Sequence, residues 1–587
     1  MPMAVVLERV AEAASQLDDA IHPVLRRVYA ARGVIDERDR RLELSELHPP
    51  ALLKNTDVGA GLLADAMAEG QRILVVGDFD ADGATSCALF MLAMQAFGYG
   101  DVGFLVPNRF EYGYGLTPEI VAVAQQQAPD LIVTVDNGIA SHDGVNAAVA
   151  VGIDVLVTDH HLPGNTLPDA HCIINPNLAE CEFPSKALAG VGVVFYLMSA
   201  LRATLRERGW FARLQLTEPN MARFLDLVAL GTVADVVPLD QNNRRLVRHG
   251  LGIIRSGHGR PGIQALLDVA GRNYRTVVAS DLGYAAGPRL NAAGRLDDMT
   301  LGIDCLLEES PARARDMAMQ LDALNRDRRQ IEQTMQDQAL AALDELDIDY
   351  ETRFGLCLYD PDWHQGVIGI LASRIKERFH RPCIVFADTG EESDENRMIK
   401  GSARSIEGVH IRDVLDAVAT RHPELLQKFG GHAMAAGLAI RHADLPAFTA
   451  AFEKVLQGEI EPEMLEQATW VDGELAPDCF SLEFASEVRE AGPWGQHFPE
   501  PVFQGEFVVV SQRIVGEKHL KLTLQVPVAG QAGTAGPLVD AIAFNVEPTL
   551  LTTALTRISL AYRIDVNEFR GARNVQLVVA TVLDYSS

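Results

Sequence analysis

Covalent cross-links are the first thing this sequence does without. Its 587 residues hold seven cysteines (87, 172, 181, 305, 357, 383 and 479), none in a CxxC pair, most in apolar stretches such as GLCLYD around Cys357 and PCIVF around Cys383. They read as reduced core thiols rather than as a disulfide framework or a zinc site. Long apolar runs are missing too. Two long uncharged apolar stretches, 84–100 and 187–201, fall short of the roughly 20 apolar residues a spanning helix needs and read as buried helices. The N-terminus, MPMAVVLERVAEAASQLDD, has no basic start and acquires acids early, unlike a secretory signal, so a cytoplasmic protein with no membrane partner is expected. Positive charge is scarce: 51 Lys and Arg face 80 Asp and Glu, a net charge of −29. Phosphate affinity depends on where the cations sit, however, and the acidic run 391–395 can lie away from any groove. The charge therefore predicts weak, salt-sensitive nonspecific binding to nucleic acid and does not exclude it. No internal repeat or oligomerisation segment stands out, which favours a monomer.

What is present suits a soluble globular protein: 48% of residues are hydrophobic and 22% charged, and the length suggests three or four folding units. Between about 70 and 175, the β-branched runs 73–76, 102–106, 131–135 and 154–158 alternate with helical stretches, the mark of βαβ units and a helix-covered parallel sheet. Ser310-Pro311 reads as a helix start, and no glycine occurs after it until Gly355. Over that length Met317, Leu321, Leu324, Ile331 and Met335 form a narrow stripe broken at Arg328, with Arg326, Arg328 and Arg329 beside it. This long helix is expected to connect two domains lining a cleft. A second α/β unit carries the strand-like GLCLY and CIVFA and a helix over 410–420. Beyond the linker-like 457–467, five β-like runs imply a small barrel, with an OB-fold as the leading guess. The expected division is 1–310, 311–349 (connector helix), 350–460 and 461–587.

The chemistry lies at the ends of the first-domain strands. Asp78, Asp80 and Asp82 alternate in DFDADG after the first, Asp136 opens DNG after the third, and Asp159, His160 and His161 come after the fourth. Ligands of open α/β sheets bind at the carboxyl ends of strands. Crowded carboxylates at a half-buried strand end need compensation, which a divalent cation supplies. Oxygen ligands suit Mg²⁺ or Mn²⁺, and an imidazole from His160 or His161 tilts the preference toward Mn²⁺. Taken singly, each motif has a blander reading: a solvated acidic turn for DxDxD, ordinary turn chemistry for Asp-Asn-Gly, a capped turn for adjacent histidines.

DFDADGATS, VTVDNG, the Asp-His-His triplet and GTVADVVPL, which adds Asp235, together resemble the successive signature motifs of the DHH phosphoesterases. That resemblance implies two-metal hydrolysis, with Asp78, Asp80 and Asp136 on one ion and Asp82, Asp136, His160 and Asp235 on the other. His161 would contact the phosphate or protonate the leaving oxygen, and Asp159 would orient the imidazole. Pro107-Asn108-Arg109 with YGYGL, GPRLNAAGR (287–295), DPDWHQGVIGILASR (360–374), KGSARS (400–405) and GGHAMAAG (430–437) resemble the RecJ branch, which carries a DHH domain, a smaller DHHA1 domain and an OB domain. By resemblance, Arg109, Ser373, Arg374 and Arg404 form a pocket for a 5′-terminal phosphate. Arg289 reads as a further phosphate contact or a salt bridge, and His432 as a donor in a glycine-rich phosphate turn. Trp494, Phe498, Phe503, Phe569 and Arg570 are candidates for stacking on bases or contacting the strand, with core packing as the alternative for the aromatics.

The implied activity is a 5′→3′ exonuclease specific for single-stranded DNA, needing two divalent cations, Mn²⁺ or Mg²⁺. Its implied partners are a free 5′ end, a single-strand-binding protein and a DNA helicase. The alternatives are a small-substrate DHH phosphodiesterase, which needs no strand-tracking domain, and a nonhydrolytic single-strand binder, in which loss of acidic ligands would be expected.

Overall fold

The computed structural model describes residues 5–587 apart from 12, 14, 108–114, 346–352, 390–396, 427, 432, 467, 528–535 and 570. Arg109, His432, Arg570 and the acidic run 391–395 therefore lie outside the described residues. The chain forms two compact units, 324–468 and the remainder, so residues 469–587 group with 1–323.

In the larger unit, β1 (Ile73–Gly77), β2 (Val102–Leu105), β3 (Leu131–Val135), β4 (Asp154–Thr158) and β5 (Cys172–Ile174) make a parallel sheet in the order β2-β1-β3-β4-β5. The residues of β1 and β3 are buried throughout, as expected of strands covered by helices on both faces. The chain leaves β1 toward one edge and later returns to its other side, so the topological switch point lies between β1 and β3. Both uncharged stretches form buried helices, α1 (Ala81–Ala96) and α2 (Gly190–Glu207). Further along come α3 (Leu225–Ala234), α4 (Gln241–Arg255) and α5 (Gly287–Leu296). All seven cysteines are free, and all but the half-buried Cys357 are buried.

The long helix α6 runs over Pro311–Glu345, and the boundary between the two units falls inside it. Leu321 and Met335 of its stripe are buried. Arg328 does not sit beside the stripe with its exposed neighbours Arg326 and Arg329. It occupies the stripe, buried, with Nη1 3.0 Å from Glu332 one turn on and Nε 3.2 Å from Asn325 Oδ1.

The smaller unit holds α7 (Ile368–Phe379) and a mixed sheet of β6 (Leu356–Tyr359), β7 (Cys383–Asp388), β8 (Met398–Arg404), β9 (Lys428–Gly431) and β10 (Ala435–Arg441), in the order β9-β10-β8-β7-β6. GGHAMAAG spans the β9–β10 hairpin: Gly430 pairs with Gly437 and Gly431 with Ala436. Beyond it, β11 (Phe503–Val515), β12 (His519–Gln525), β13 (Leu538–Ala543), β14 (Arg557–Phe569) and β15 (Ala572–Ser586) close into a barrel, sealed by the parallel pair β13–β15. Leucines alternate with polar residues along β12, which puts Leu520, Leu522 and Leu524 inside. A buried bidentate ion pair, Arg32 to Asp472 at 2.7 and 3.0 Å, ties the segment before the barrel to the N-terminal region.

Candidate active site

The sheet's carboxyl edge gathers the acids because three of its strands, β1, β3 and β4, stop one residue short of one. Asp78 follows β1. Asp80 then caps α1, its Oδ1 accepting the Asp82 and Gly83 N–H groups at 2.9 and 3.0 Å. Asp82, in the first turn, is nearly fully buried, and its carboxylate accepts the Gly190 and Val191 N–H groups that open α2, at 2.6 and 2.9 Å. Asp136 follows β3 at φ 62°, the left-handed region that is uncommon outside glycine and found mainly in asparagine and aspartate. Gly190 makes room for it, because a Cβ there would stand 2.7 Å from Asp136 Cβ. Asp159 follows β4, and Asp235 follows α3.

These residues converge. Ligand atoms of Asp78, Asp80 and Asp136 lie within 4.8 Å of one another, as do those of Asp82, His160 and Asp235, and those of Asp136, His160 and His161. His160 Nε2 stands 3.1 Å from Asp136 Oδ1, 3.5 Å from Asp235 and 4.0 Å from Asp82. Burial, with the neighbouring carboxylates adding to it, raises Asp136 and Asp235 well above the usual carboxylate range and Asp82 to about 7. Such crowding fits an oxygen-rich site for divalent cations and is costly without them. Asp159 differs. Burial pushes its carboxyl up, but the hydrogen bond and charge of His161 (Nδ1 to Oδ1, 2.8 Å) hold it below the ordinary value. Burial in turn lowers His161, yet Asp159 and the nearby acids raise it to about 8. Asp159 also accepts the N–H groups of Ile139, His160 and His161, which fixes the loop.

In the smaller unit, Ser373 Oγ donates to the Gly369 carbonyl at 3.2 Å, and a Cβ on Gly369 would lie 2.9 Å from Arg404 Nη2. Arg404 donates to Ser402 Oγ and the Ala403 carbonyl; burial lowers its pKa, and among the described residues no carboxylate lies at ion-pair distance. Arg374 is half-exposed between Glu332 and Glu377, at 3.0 and 3.2 Å. Arg289 is not offered to solvent. It is buried, paired with Asp322 at 2.7 Å and donating to the Ala285 carbonyl, so its hydrogen bonds anchor α5 internally.

Two of the three aromatics singled out between 494 and 503 are core, and Trp494 is half-buried. Phe498 and Phe503 are buried, and Trp494 stacks on Phe498 at 5.1 Å while donating Nε1–H to the Val488 carbonyl. Of Phe569, only its place at the end of β14 is described. The sequence reading missed residues that hold the loops. Asn291 Oδ1 accepts the Ala81 N–H at 2.7 Å, and a Cβ on Gly294 would strike the Phe79 carbonyl, so GPRLNAAGR clamps the DFDADG turn. Asn175 and Asn177 donate to the carbonyls of His161 and His160 at 2.8 and 2.7 Å. Their signal was the Asn-Pro-Asn directly after the short strand β5.

A parallel sheet that collects acids and histidines at its switch point is the architecture of a phosphoesterase, and residues 72–232 match the model of the DHH family, N-terminal domain. Residues 353–458 match the DHHA1 domain and 471–581 the RecJ OB domain. The chain belongs to the RecJ family of single-stranded-DNA-specific exonucleases. It is 54% identical to the RecJ exonuclease of Dickeya dadantii, over 98% of each chain, and 51% identical to that of Escherichia coli, over 97% of each. Among solved structures it resembles RecJ of Thermus thermophilus in complex with Mn²⁺, with 29% identity and a TM-score of 0.76, covering 96% of this chain and 76% of that one. A Mg²⁺ complex of the same protein matches with a TM-score of 0.69 at 28% identity, over 97% of this chain and 76% of that one.

Proposed function

We propose that this chain is a metal-dependent exonuclease that hydrolyses single-stranded DNA from a 5′ end and releases 5′-mononucleotides. The observation that carries the reading is the convergence of Asp78, Asp80, Asp82, Asp136, His160 and Asp235 into overlapping sets of ligand distance. Two divalent cations, Mn²⁺ or Mg²⁺, fit there, one with Asp78, Asp80 and Asp136 and the other with Asp82, Asp136, His160 and Asp235. Bound cations supply Lewis-acid activation of water and neutralise charge on the phosphoryl oxygens. The chain does the rest. The backbone N–H groups of α2 fix the Asp82 carboxylate. Asp159 orients His161 and keeps it protonated near neutral pH, ready to donate to a phosphate oxygen or to the leaving oxygen.

Ser373, Arg374 and Arg404 are assigned to the terminal phosphate, and the absence of a carboxylate beside the Arg404 guanidinium among the described residues favours this role. Division of labour follows the chain: 1–310 for hydrolysis, 311–349 as connector, 350–460 for end recognition and 461–587 for strand binding. Exposed Phe544 on the barrel replaces the buried aromatics as the candidate for stacking. A substrate limited to single strands needs a helicase to supply it and a single-strand-binding protein to keep it open. That work belongs to DNA repair and recombination in the cytoplasm, and no helix among the described residues is long and apolar enough to cross a membrane.

The test is a time course on 5′-phosphorylated, 3′-labelled single-stranded and blunt duplex oligonucleotides, with Mn²⁺ or chelator, using wild type and Asp136→Ala. Mononucleotide release from the single strand alone, abolished by chelator and by the substitution, is expected. Chelator-resistant release, or equal degradation of the duplex, overturns the reading.

A further inference from the structure

A cavity of about 300 Å³ in the larger unit is lined by Arg40, Arg41, Arg244, Arg248 and His249. Four arginines around one small cavity is a concentration of charge the composition does not lead one to expect, since acids exceed bases by 29 in the whole chain. Helical spacing explains part of it, because Arg244 and Arg248 stand four residues apart on α4 and share a face. Arg245, between them, is turned to Glu46 at 3.1 Å.

The acids nearby do not neutralise the cavity. Glu43 is the one carboxylate in its lining, and Glu37 pairs with Arg40. Arg41 and Arg248 are exposed and have no carboxylate at ion-pair distance among the described residues. Arg244 is the strongest pointer. It is buried, its guanidinium lies 4.2 Å from the centroid of the Phe498 ring, and its only hydrogen bond among the described residues is a long one, 3.4 Å, to the Asp39 carbonyl. Its Nε has no partner, and no carboxylate lies within ion-pair distance among the described residues. Burial lowers its pKa to about 10, so it stays charged at neutral pH. A cation buried without a counter-ion is costly, and an anion entering the cavity removes that cost. A guanidinium covered on one face by an aromatic ring and flanked by further arginines is suited to bidentate contact with phosphate oxygens.

We propose that this cavity is a phosphate-binding site, sharing no residue with the carboxylate cluster or with the Ser373 and Arg404 group. Its ligand is a phosphate group, supplied either by a free nucleotide or by the backbone of a DNA strand. The inference does not rest on the hydrolytic reading and is tested without metal. Calorimetric titration of the full chain in chelator uses inorganic phosphate, thymidine 5′-monophosphate and unphosphorylated oligothymidylate as probes. Wild type is compared with Arg41→Glu/Arg248→Glu, two exposed positions, after equal melting temperatures have shown that the variant is folded. The variant is expected to bind at least one probe about tenfold more weakly or worse. Loss confined to phosphate and the mononucleotide identifies a free nucleotide as the ligand. Loss that includes oligothymidylate, with the salt slope reduced by about two, identifies the backbone. Equal affinity of variant and wild type for all three probes, or no binding by wild type, overturns the proposal.

Discussion

Replacing Asp136 with asparagine separates the two things this carboxylate does. Asparagine has the same shape, tolerates the left-handed backbone at φ 62° and fits against Gly190, so the fold survives and only the charge is lost. Asp136 lies within 4.8 Å of ligand oxygens of both Asp78 and Asp80. At an effective dielectric of about 20, each such pair repels by about 3.5 kcal/mol, or about 7 kcal/mol for the two. Partial protonation, which the raised pKa of Asp136 already allows, relieves much of this, leaving about 1–3 kcal/mol for the substitution to recover in metal-free protein. With chelator present, Asp136→Asn is therefore expected to melt above wild type. With saturating Mn²⁺ the order reverses, because the wild type gains binding energy, about 2.7 kcal/mol at a hundredfold excess over Kd, that the variant largely forfeits. Hydrolysis should fall about 10³-fold, equivalent to about 4 kcal/mol of lost transition-state stabilisation. Differential scanning fluorimetry with and without Mn²⁺, beside a nuclease time course, reads all three. A variant that melts below wild type in chelator would show that Asp136 is not under charge repulsion, and one that cleaves at the wild-type rate would show that it holds no cation.

Three further outcomes are expected from the same geometry. In chelator, wild type should lose stability as pH rises through about 4 to 7. Asp82, Asp136 and Asp235 have folded-state pKa values above the unfolded one, so the folded state binds more protons across that window; saturating Mn²⁺ should flatten the trend in melting temperature, and an unchanged slope would contradict it. Gly190→Ala places a Cβ 2.7 Å from Asp136 Cβ and Oδ1, and should cost about 1–3 kcal/mol in denaturant unfolding and about 10²-fold in kcat through the displaced carboxylate. Arg32→Ala leaves the buried Asp472 with only the longer Arg9 contact at 3.4 Å and the Val502 N–H, so the denaturant midpoint should fall by the equivalent of about 1.5–3 kcal/mol, beyond the effect of removing the exposed partner in the Arg557–Glu506 pair.

Much of the carboxylate and histidine cluster could be read before any coordinates, because its acids stand where strands end. The β-branched runs that became β1, β3 and β4 are too apolar to be anything but covered strands, and Asp78, Asp136 and Asp159 are the polar residues immediately after them. The strand β5 was missed because three residues, Cys172–Ile174, carry no periodicity. The supporting amides left no pattern either. Asn175, Asn177 and Asn291 act on backbone groups of other loops, and one sequence does not record which backbone an amide reaches. Charge alone does not place an arginine: Arg289 suits either a phosphate contact or a salt bridge and Arg328 a position beside the stripe, and both are buried against carboxylates. The partner of Arg328, four residues on, was legible as a helical pair; that of Arg289, 33 residues away, was not. Phe498 and Phe503 met the commoner fate of aromatics beside a small barrel, which is to fill the core, and Trp494 is half-buried against Phe498.

Acids and imidazoles far apart in the chain are expected to enclose a pair of cations, which anomalous diffraction from crystals soaked in Mn²⁺ would locate. Two peaks are expected, one among Asp78, Asp80 and Asp136 and one among Asp82, His160 and Asp235, with Asp136 reaching both. The absence of any peak among these residues in a Mn²⁺-saturated crystal would show that the cluster does not hold the cations.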